Sequence, residues 1–338
     1  MYDSVENKNF VKSHSLIDVT LRDGGFCCDF NWSFNEMTTI VSATSCAPVE
    51  FVEIGYVGGL PELHSVAKPG SAANLTNASI KALRHYLLDA RICVMVHPGA
   101  LCGHVNFEDL KTSGVDLVRF VYHKSWREKL TLLNQAAKDA GLKTSVNIAL
   151  LSHISLGDLL RVVESLNNRV DAIPDIICLA DTCGAMFPDR VSTVVRTCVN
   201  ATSSMVGFHA HDYLSLALAN SLSAVDAGAQ IIDVSLLGIG RGAGNLRLEL
   251  WEAATRLHFM KSLQLRRLAR AHQVITNRIG AKQVPDLISI LCGSLNLKPP
   301  EEELLRSKCD TKNQAVFCQV FIDLLQECTD LNVALHKI

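Results

Sequence analysis

Two stretches, Thr20-Leu21-Arg22-Asp23-Gly24-Gly25 and Phe208-His209-Ala210-His211-Asp212, carry most of the information about the fold of this chain. Each follows an apolar run and places polar side chains where a strand would end. The two stretches lie far apart in the sequence, so side chains that face one site must be brought together by the fold. A closed barrel of parallel strands does this, because every strand ends at the same rim.

The polar side chains of these stretches are of types that bind metal ions. His209 and His211 are two residues apart, and residues with that spacing on a strand share a face. Asp23 would add an oxygen ligand, and three protein ligands leave coordination positions for water or substrate, as a catalytic metal requires. With 12 histidines in the chain, the spacing alone does not decide. The alternative is a pair of hydrogen-bonded structural histidines.

The first three quarters of the chain alternate apolar, β-branched runs with amphipathic stretches, a pattern typical of repeated βα units. The runs predicted as strands are Leu16–Leu21, Phe51–Gly55, Ile92–His97, Leu117–Val121, Thr144–Leu150, Ile176–Ala180, Val206–His209 and Ile231–Ser235. Helices are predicted near residues 34–46, 76–89, 106–113, 124–140, 156–168, 188–203, 213–227 and 246–258. Eight such units in about 240 residues match the usual size of a (β/α)₈ barrel. We therefore predict an α/β fold of the TIM-barrel type.

A doubly wound open sheet is the alternative fold. It would normally carry a glycine-rich phosphate loop directly after the first strand. Here Gly24-Gly25 is followed by Phe26-Cys27-Cys28, so a dinucleotide-binding fingerprint is absent. The sequence therefore favours the barrel.

All eight predicted strands end in polar residues or in a glycine-rich segment, as the catalytic face of a barrel requires. In chain order these are Arg22 and Asp23, Glu53 and Tyr56, His97, His123, Ser152 and His153, Asp181 and Thr182, His209 and His211, and the segment 238–245. Agreement across eight separate strands supports one shared site at that face.

The pattern changes at residue 259, from which helices follow one another without intervening strands. The predicted helices are His258–Arg278, Pro285–Ser294, Pro300–Arg306 and Lys312–Thr329. We predict three parts: an N-terminal extension (1–15), a catalytic barrel (16–258) and a helical C-terminal domain (259–338). This last domain is either a lid or packing element, or a surface for a homo-oligomer or another partner.

The composition excludes several classes of protein. Hydrophobic residues make up 48% of the chain, the net charge is −2, and no long basic run is present. We therefore expect neither nucleic acid nor membrane as a partner. No apolar stretch reaches the roughly 18 residues of a membrane span, and the polar N-terminus lacks a signal-peptide core. The 12 cysteines are scattered, mostly in apolar runs, as expected for buried reduced thiols in a cytoplasmic protein.

Several motifs in the same order resemble the metallo-dependent lyase and synthase superfamily, which includes HMG-CoA lyase, isopropylmalate synthase and 4-hydroxy-2-oxovalerate aldolase. They are Asp18-Val19-Thr20-Leu21-Arg22-Asp23-Gly24-Gly25, His209-Ala210-His211 with Ala219-Asn220-Ser221, and the glycine-rich segment that ends at Asn245. The finer resemblance is to the aldolase branch. It is carried by His97-Pro98-Gly99, Arg119 to His123, Leu151-Ser152-His153 and Asp181-Thr182-Cys183-Gly184. The resemblance covers residues 16–258.

This resemblance implies a divalent cation, Mn²⁺ or Mg²⁺, held by Asp23, His209 and His211. Asn245 stands where the lyase and synthase branches supply a further metal ligand. Arg22 would face the keto or enolate oxygen of the substrate, and Thr182 would hold its carboxylate. The implied activity is that of an aldolase or lyase that cleaves or forms a carbon–carbon bond through the pyruvate-type enolate of a (4-hydroxy-)2-oxo acid. A lysine Schiff base is not required, and no lysine lies at the proposed strand ends.

Two positions depart from the aldolase pattern. Phe26 stands where the aldolase has an acid/base histidine, and residues 257–338 contain no tyrosine, although the aldolase uses one from its C-terminal region. The base for the 4-hydroxyl proton is therefore open among His64, His97, His123, Tyr56 and a water on the metal. The dissimilar C-terminal region also gives no support to an aldehyde dehydrogenase partner.

Two other functions use the same scaffold and stay open at this point. One is a Claisen-type synthase that condenses an acyl-CoA with a 2-oxo acid at the same metal site. The other is a non-catalytic binding protein, which the phenylalanine at position 26 would suit. Fold analogy alone does not separate them from the aldolase.

Overall fold

The computed structural model describes most of the chain. The described residues are 14–45, 49–60, 66, 68–100, 105–168, 172–255, 265–280 and 287–309, with single positions at 317, 320, 321, 323, 324, 327, 328, 333, 334 and 337. Several predicted features fall wholly or partly outside them, among them the N-terminal extension up to residue 13, His64, the domain boundary at 258/259, the starts of the helices His258–Arg278 and Pro285–Ser294, and most of the helix Lys312–Thr329.

Eight parallel strands form a closed barrel in the order in which they occur in the sequence, and β1 pairs with β8 to close it. The strands are β1 Ser15–Asp18, β2 Val49–Val57, β3 Arg91–Val96, β4 Val115–Tyr122, β5 Lys143–Ile148, β6 Ile176–Asp181, β7 Met205–Ala210 and β8 Ile231–Val234. The predicted (β/α)₈ barrel is confirmed.

A helix follows each strand and packs outside the barrel. These helices are α1 Phe34–Thr44, α2 Asn77–Arg84, α3 Phe107–Thr112, α4 Arg127–Asp139, α5 Leu156–Asn167, α6 Pro188–Ala201, α7 Ala217–Asp226 and α8 Leu248–Thr255. Local signals set several of their starts: a capping box between Ser33 and Glu36 precedes α1, and a proline opens α6. All eight lie where the amphipathic pattern predicts a helix.

Strand β1 is shorter than predicted, for a local reason. It ends at Asp18, whose carboxylate accepts hydrogen bonds from the backbone N–H and the hydroxyl of Thr20, at 3.2 and 2.6 Å. These bonds turn the chain where the apolar run Leu16–Leu21 predicts continued strand. Arg22 and Asp23 therefore sit in a turn above the barrel.

The interior of the barrel has two layers of opposite character. The lower layer is apolar and buried, and consists of Ile17, Val19, Phe51, Cys93, Leu117, Ile176 and Ile231. The upper layer is polar and lies nearer the carboxyl ends of the strands; it consists of Glu53, Arg119, Asn147, Cys178, His209 and Asp233, all buried. Glu53, Arg119, Cys178 and Asp233 each lie two residues after a lower-layer residue, so strand alternation aims both at the barrel axis.

Three further helices follow the barrel: α9 Leu265–Ile279, α10 Leu287–Ser294 and α11 Pro299–Lys308. Helix α9 packs against α1 and contributes Leu268, Ala271 and Ile275 to the core of the barrel helices. Helices α10 and α11 belong to a second cluster that includes Tyr213, just after β7. The division between barrel and C-terminal domain stays a prediction.

The composition predicted reduced, buried cysteines and no membrane span. The described cysteines are not disulfide-bonded, and Cys93, Cys178, Cys183, Cys198 and Cys292 are buried. Among the described residues, no helix is long and apolar enough to cross a membrane.

Candidate metal centre

Asp23, His209 and His211 converge at the carboxyl ends of β1 and β7. Each offers one donor atom, and these atoms lie within 4.8 Å of one another. The two imidazoles approach through their Nε2 atoms, which are 3.3 Å apart. All three residues are buried, so the cluster is part of the barrel interior.

The partners of the other ring nitrogens fix the protons of the two imidazoles. His209 Nδ1 lies 2.9 Å from the Asp233 carboxylate, and His211 Nδ1 lies 3.2 Å from the backbone carbonyl of Gly244. A carbonyl or ionised carboxylate only accepts hydrogen bonds, so each Nδ1 carries a proton, and in a neutral ring the lone pair is then on Nε2. Burial lowers the pKa of His211 to about 3, which keeps this ring neutral near pH 7.

Two lone pairs facing each other at 3.3 Å repel unless a cation lies between them and Asp23. Neutral imidazoles with a second nitrogen bonded to a carboxylate or carbonyl are the usual form of metal-binding histidine. The donor set therefore fits a divalent metal ion. The alternative, two structural histidines hydrogen-bonded to each other through Nε2, would require one of the two rings to carry a second proton.

Asp23 is held as an anion at the same point. Its Oδ1 accepts from Arg22 Nη1 at 2.5 Å, and its Oδ2 accepts from the backbone N–H of Arg241 at 3.2 Å. Burial by itself would raise the pKa of Asp23, but the charge of Arg22, together with the hydrogen bond from Asn245, outweighs burial and lowers it. The carboxylate is therefore available as a ligand at neutral pH.

Asn245 joins the cluster from the loop after β8. Its Nδ2 donates to Asp23 Oδ2 at 2.8 Å and to the carbonyl of Ile239 at 3.1 Å. Its Oδ1 is buried and has no hydrogen-bond partner among the described residues. An unpaired buried acceptor is costly, so it marks a place where a cation would be stabilised. Gly240 lets the loop approach, since a Cβ there would lie 2.7 Å from Asp23 Oδ2.

A buried chain of charges links the two sides of the cluster through the upper layer. Arg22 Nε donates to Glu53 at 2.8 Å, and Arg119 donates to Glu53 at 3.3 Å and to Asp233 at 2.8 Å. Asp233 in turn holds His209. We call this set the charge chain: Asp23, Arg22, Glu53, Arg119, Asp233 and His209.

The charge chain is short of positive charge. With carboxylates and guanidinium groups ionised, it holds three negative and two positive charges besides the imidazole. Glu53 Oε1 and Asp233 Oδ1 are buried without a hydrogen-bond partner among the described residues. Buried charges are stable only when paired. A divalent cation would turn this local excess of negative charge into a positive site for an anionic substrate.

Arg22 lies beside a cluster of aromatic side chains, Tyr56, Phe30 and Phe26. Its guanidinium hydrogen-bonds to Tyr56, and burial raises the pKa of that phenol to about 12, so it is protonated at neutral pH. The ring of Phe30 packs edge-on against Tyr56 at 5.6 Å and against Phe26 at 4.9 Å. The position at which the aldolase pattern has a histidine is therefore part of an apolar surface.

Comparison with known proteins places this site in a family. A family model described as HMGL-like matches residues 13–275, the whole barrel included. The chain belongs to the HMGL-like family. The resemblance inferred from the motifs is thereby confirmed.

Relatives of known name cover most of this HMGL-like chain. It is 32% identical to a 4-hydroxy-2-oxovalerate aldolase of Moorella thermoacetica, over 70% of this chain and 69% of the relative. It is 29% identical to an oxaloacetate decarboxylase of Mycobacterium tuberculosis, over 71% and 69% of the two chains. The fold is similar to the N-terminal domain of a Bacteroides vulgatus protein, with a TM-score of 0.73, 23% identity, and 87% and 97% of the two chains covered.

The HMGL-like barrel brings together five of the predicted site residues, Arg22, Asp23, His209, His211 and Asn245. Thr182 follows β6 as expected, but its hydroxyl accepts from the backbone N–H of Leu150 at 2.9 Å. It ties the ends of β5 and β6 together. Its predicted role in holding the substrate carboxylate stays a prediction, as do the catalytic roles of the other residues.

The histidine candidates for the base lie around Trp126. His97 and His123 both pack on its ring, with centroid distances of 4.9 Å. His97 is buried and accepts from the N–H of Gly99, whereas His123 is exposed and accepts from the N–H of Ser125. Of the candidates that the structure describes, Tyr56 contacts the charge chain, through Arg22. His64 lies outside the described residues.

Sequence reasoning assigned no role to three members of the charge chain: Glu53, Arg119 and Asp233. Glu53 was expected at the end of its strand, but β2 continues to Val57, so Glu53 lies inside the barrel. A signal for all three was present, because each is a charged residue flanked by apolar residues on both sides within its strand. Such a residue is buried and must be paired. The identity of its partner is not encoded locally.

Proposed function

We propose that the protein is a divalent-metal-dependent carbon–carbon lyase of the aldolase type that acts on a 2-oxo acid through a pyruvate-type enolate. The convergence of two imidazole lone pairs and the Asp23 carboxylate beside Arg22 carries this proposal. The named reactions of the two relatives agree with it. Each breaks a carbon–carbon bond of a 2-oxo acid and leaves the same three-carbon enolate.

Mn²⁺ or Mg²⁺ is the ion that we propose for Asp23, His209 and His211, with Asn245 Oδ1 beside them. A bound ion would supply positive charge that stabilises the negative charge developing on the 2-oxo end of the substrate. Arg22 adds directed N–H donors at the same end. Its guanidinium is fixed in advance by Glu53 and Asp23, so little reorganisation is needed as the charge forms.

The two cleavage reactions share their second half. In retro-aldol cleavage, a base takes the 4-hydroxyl proton, the C3–C4 bond breaks, an aldehyde leaves, and the electron pair passes to the enolate. In decarboxylation, the C3–C4 bond breaks, CO₂ leaves, and the electron pair passes to the same enolate. Protonation at C3 then gives pyruvate. Only the retro-aldol reaction needs a base at the 4-hydroxyl group.

The aromatic surface at Phe26 favours reactions that do not need this base. Phe26 has no titratable group and packs on Phe30, so enolate chemistry at Arg22 proceeds without a proton acceptor from that position. We therefore expect proton exchange at C3 of pyruvate, and decarboxylation of oxaloacetate, to be easier to detect than cleavage of 4-hydroxy-2-oxovalerate. If cleavage is efficient, Tyr56 is the described candidate in contact with the charge chain.

The test compares these reactions on one Mn²⁺-loaded preparation. Loss of deuterium from C3-labelled pyruvate and pyruvate release from oxaloacetate are measured beside pyruvate release from 4-hydroxy-2-oxovalerate. Metal-dependent turnover in any of them supports the proposal. No turnover despite bound metal would reject it and favour the synthase, which releases free thiol from acetyl-CoA with 2-oxo acids, or the non-catalytic binding protein.

The remaining expectations from the sequence are retained as part of this proposal. They are a helical C-terminal domain over residues 259–338, a homo-oligomer formed through that region, and a cytoplasmic location. Chromatography of the full chain with light scattering measures the oligomeric state.

A further inference from the structure

Arg241 occupies a position that the proposed mechanism does not use. It lies in the loop between β8 and α8, and its backbone N–H donates to Asp23 Oδ2 at 3.2 Å. Its guanidinium Nη2 lies 3.5 Å from Glu302 Oε2, on helix α11. The side chain therefore starts at a proposed metal ligand and runs outward to the C-terminal helices. It is largely covered, with 13% of its surface exposed.

The partner of Arg241 is shared with other groups. Glu302 Oε1 accepts from Arg306 Nε at 2.8 Å, and Glu302 Oε2 accepts a short hydrogen bond from the hydroxyl of Tyr213. Apart from Glu302, the described carboxylate nearest to the Arg241 guanidinium is that of Glu303, at 4.0 Å. Two guanidinium groups thus share one buried carboxylate, and the contact of Arg241 is the longer one. Among the described residues, most of its five N–H donors have no partner and could bind a ligand.

The guanidinium lies just outside the proposed metal site. Tyr213, which shares Glu302 with it, follows His211 by two residues, and the ring centroids of Tyr213 and His211 are 6.2 Å apart. Gly242 allows the loop to pack closely against Tyr213 and Glu302, because a Cβ at this position would overlap the Tyr213 hydroxyl and lie 3.0 Å from Glu302 Oε1. Arg241 is thus connected to the proposed metal ligands both through its own backbone N–H and through Tyr213.

We propose that Arg241 binds a second anionic group of the substrate, so that the preferred substrate is a dianionic 2-oxo acid. This inference rests on the proposed function and assigns the distal end of the same site. The ion and Arg22 would bind the 2-oxo end of the substrate. The Arg241 guanidinium lies beside Glu302 and would bind the other end. A guanidinium matches a carboxylate in a two-bond geometry that a neutral or ammonium side chain does not reproduce. Glu302 keeps Arg241 in place before the substrate arrives.

A matched pair of ligands tests this on the full-length, Mn²⁺-loaded protein. 2-Oxoglutarate and 2-oxovalerate have the same number of carbons and differ by a distal carboxylate or methyl group. Titration calorimetry of the wild type should give an affinity about 10- to 100-fold higher for 2-oxoglutarate, the usual contribution of a charge-assisted pair. Arg241→Met should abolish this difference and leave the affinity for 2-oxovalerate within about threefold. Arg190→Met is the control, because Arg190 donates to the carbonyl of Ile154, and it should keep the full difference.

A charge-retaining variant covers the case in which Arg241→Met does not fold. Arg241→Lys should keep a preference for 2-oxoglutarate that is reduced by about tenfold, because an ammonium lacks the two-bond geometry. An equal loss of affinity for both acids in either variant would overturn the inference and assign Arg241 to the loop structure or to the 2-oxo carboxylate.

Turnover separates failure of this inference from failure of the proposed function. Equal wild-type affinity for the two acids, together with turnover of a monoanionic 2-oxo acid, overturns the role of Arg241 and leaves the lyase proposal in place. Absence of binding by both acids, despite bound Mn²⁺, overturns both. A selective fall in kcat/KM for 4-hydroxy-2-oxoglutarate relative to 4-hydroxy-2-oxovalerate in Arg241→Met supports the inference.

Discussion

The lower and upper layers of the barrel lie on the same strands, two residues apart, yet different forces hold them. Phe51 and Leu117 of the lower layer are fully apolar and buried, and Glu53 and Arg119 directly above them are equally buried and charged. Apolar contacts are non-directional, so a lower-layer residue gains from any neighbour of suitable size. Each upper-layer charge needs one particular partner.

The lower layer should therefore affect mainly the stability of the fold, and the upper layer mainly the geometry of the candidate site. Loss of a methyl group in the lower layer lowers stability a little and leaves the geometry above it in place. Loss of one member of the charge chain leaves another buried charge unpaired, and we expect it to shift the proposed metal ligands. Substitutions in the lower layer should therefore change the free energy of unfolding, and substitutions in the upper layer should change metal affinity or turnover.

The largest effect is expected from removal of a proposed metal ligand in the charge chain. His209→Ala or Asp23→Ala should abolish tight binding of about one divalent ion per chain, because two protein ligands do not hold a hard cation in competition with water. Metal content after dialysis, measured by elemental analysis, checks this. His123→Ala is the matched control, since His123 is exposed beside Trp126. Wild-type metal content in both ligand variants would reject the site.

Arg22→Lys should leave metal content intact and lower kcat by about 10²–10³-fold. An ammonium keeps the charge but not the directed donors toward the developing enolate oxygen, and loss of one such donor typically has an effect of this size. Steady-state kinetics with the most active 2-oxo acid, beside metal analysis, gives both quantities. A near-native kcat would remove Arg22 from the mechanism.

Asp233→Asn tests the charge chain away from the metal ligands. Asp233 Oδ2 accepts from both His209 and Arg119, and an amide oxygen in its place could accept the same bonds but would lack the negative charge that strengthens them. We expect metal affinity to fall by about 10- to 100-fold, the usual effect of losing the carboxylate behind a metal-binding histidine. Calorimetric titration with Mn²⁺ measures it. Asp158→Asn, in an exposed pair with Arg161, is the control, and equal affinities in the two variants would contradict the role of Asp233.

The smallest effect is expected from Ile17→Val in the lower layer. Removing one buried methylene should lower the free energy of unfolding by about 0.5–1.5 kcal/mol, because Ile17 is fully buried. Metal affinity should stay within experimental error of the wild type. Chemical denaturation and Mn²⁺ titration measure the two quantities. A loss of metal affinity comparable to that of Asp233→Asn would show that the two layers are not separable in this way.

The sequence predicted the barrel because each βα unit is encoded locally. Alternation along strands such as Ile176–Asp181, and the helical period between strands, are properties of short stretches. Misplaced strand ends also have local causes. Asp18 ends β1 early through its hydrogen bonds to Thr20, and Leu150, with a φ of 58°, follows β5 in a left-handed conformation. Neither interaction appears in a hydrophobic pattern.

In the candidate site, too, some residues could be predicted from short stretches of sequence and others could not. Asp23, His209, His211 and Asn245 were predicted from motifs, and the structure brings them together. Glu302 could not be found in this way, because it is one of many acidic residues in an amphipathic helix, and only its burial beside Arg241 and Tyr213 distinguishes it. Asp233 stands out in its strand, but its role depends on His209 in the neighbouring strand.

By itself, the sequence of this protein determined which residues are apolar, which strands end in polar groups and which side chains can bind a metal, because these are properties of residue type and short-range spacing. The tertiary structure alone decided which charges are partners. Arg119 meets Glu53 and Asp233 only because barrel closure places β2, β4 and β8 around one axis. Once they are buried there, the low-dielectric interior makes their pairing a requirement for the fold, and Asp233 in turn positions His209, a proposed metal ligand.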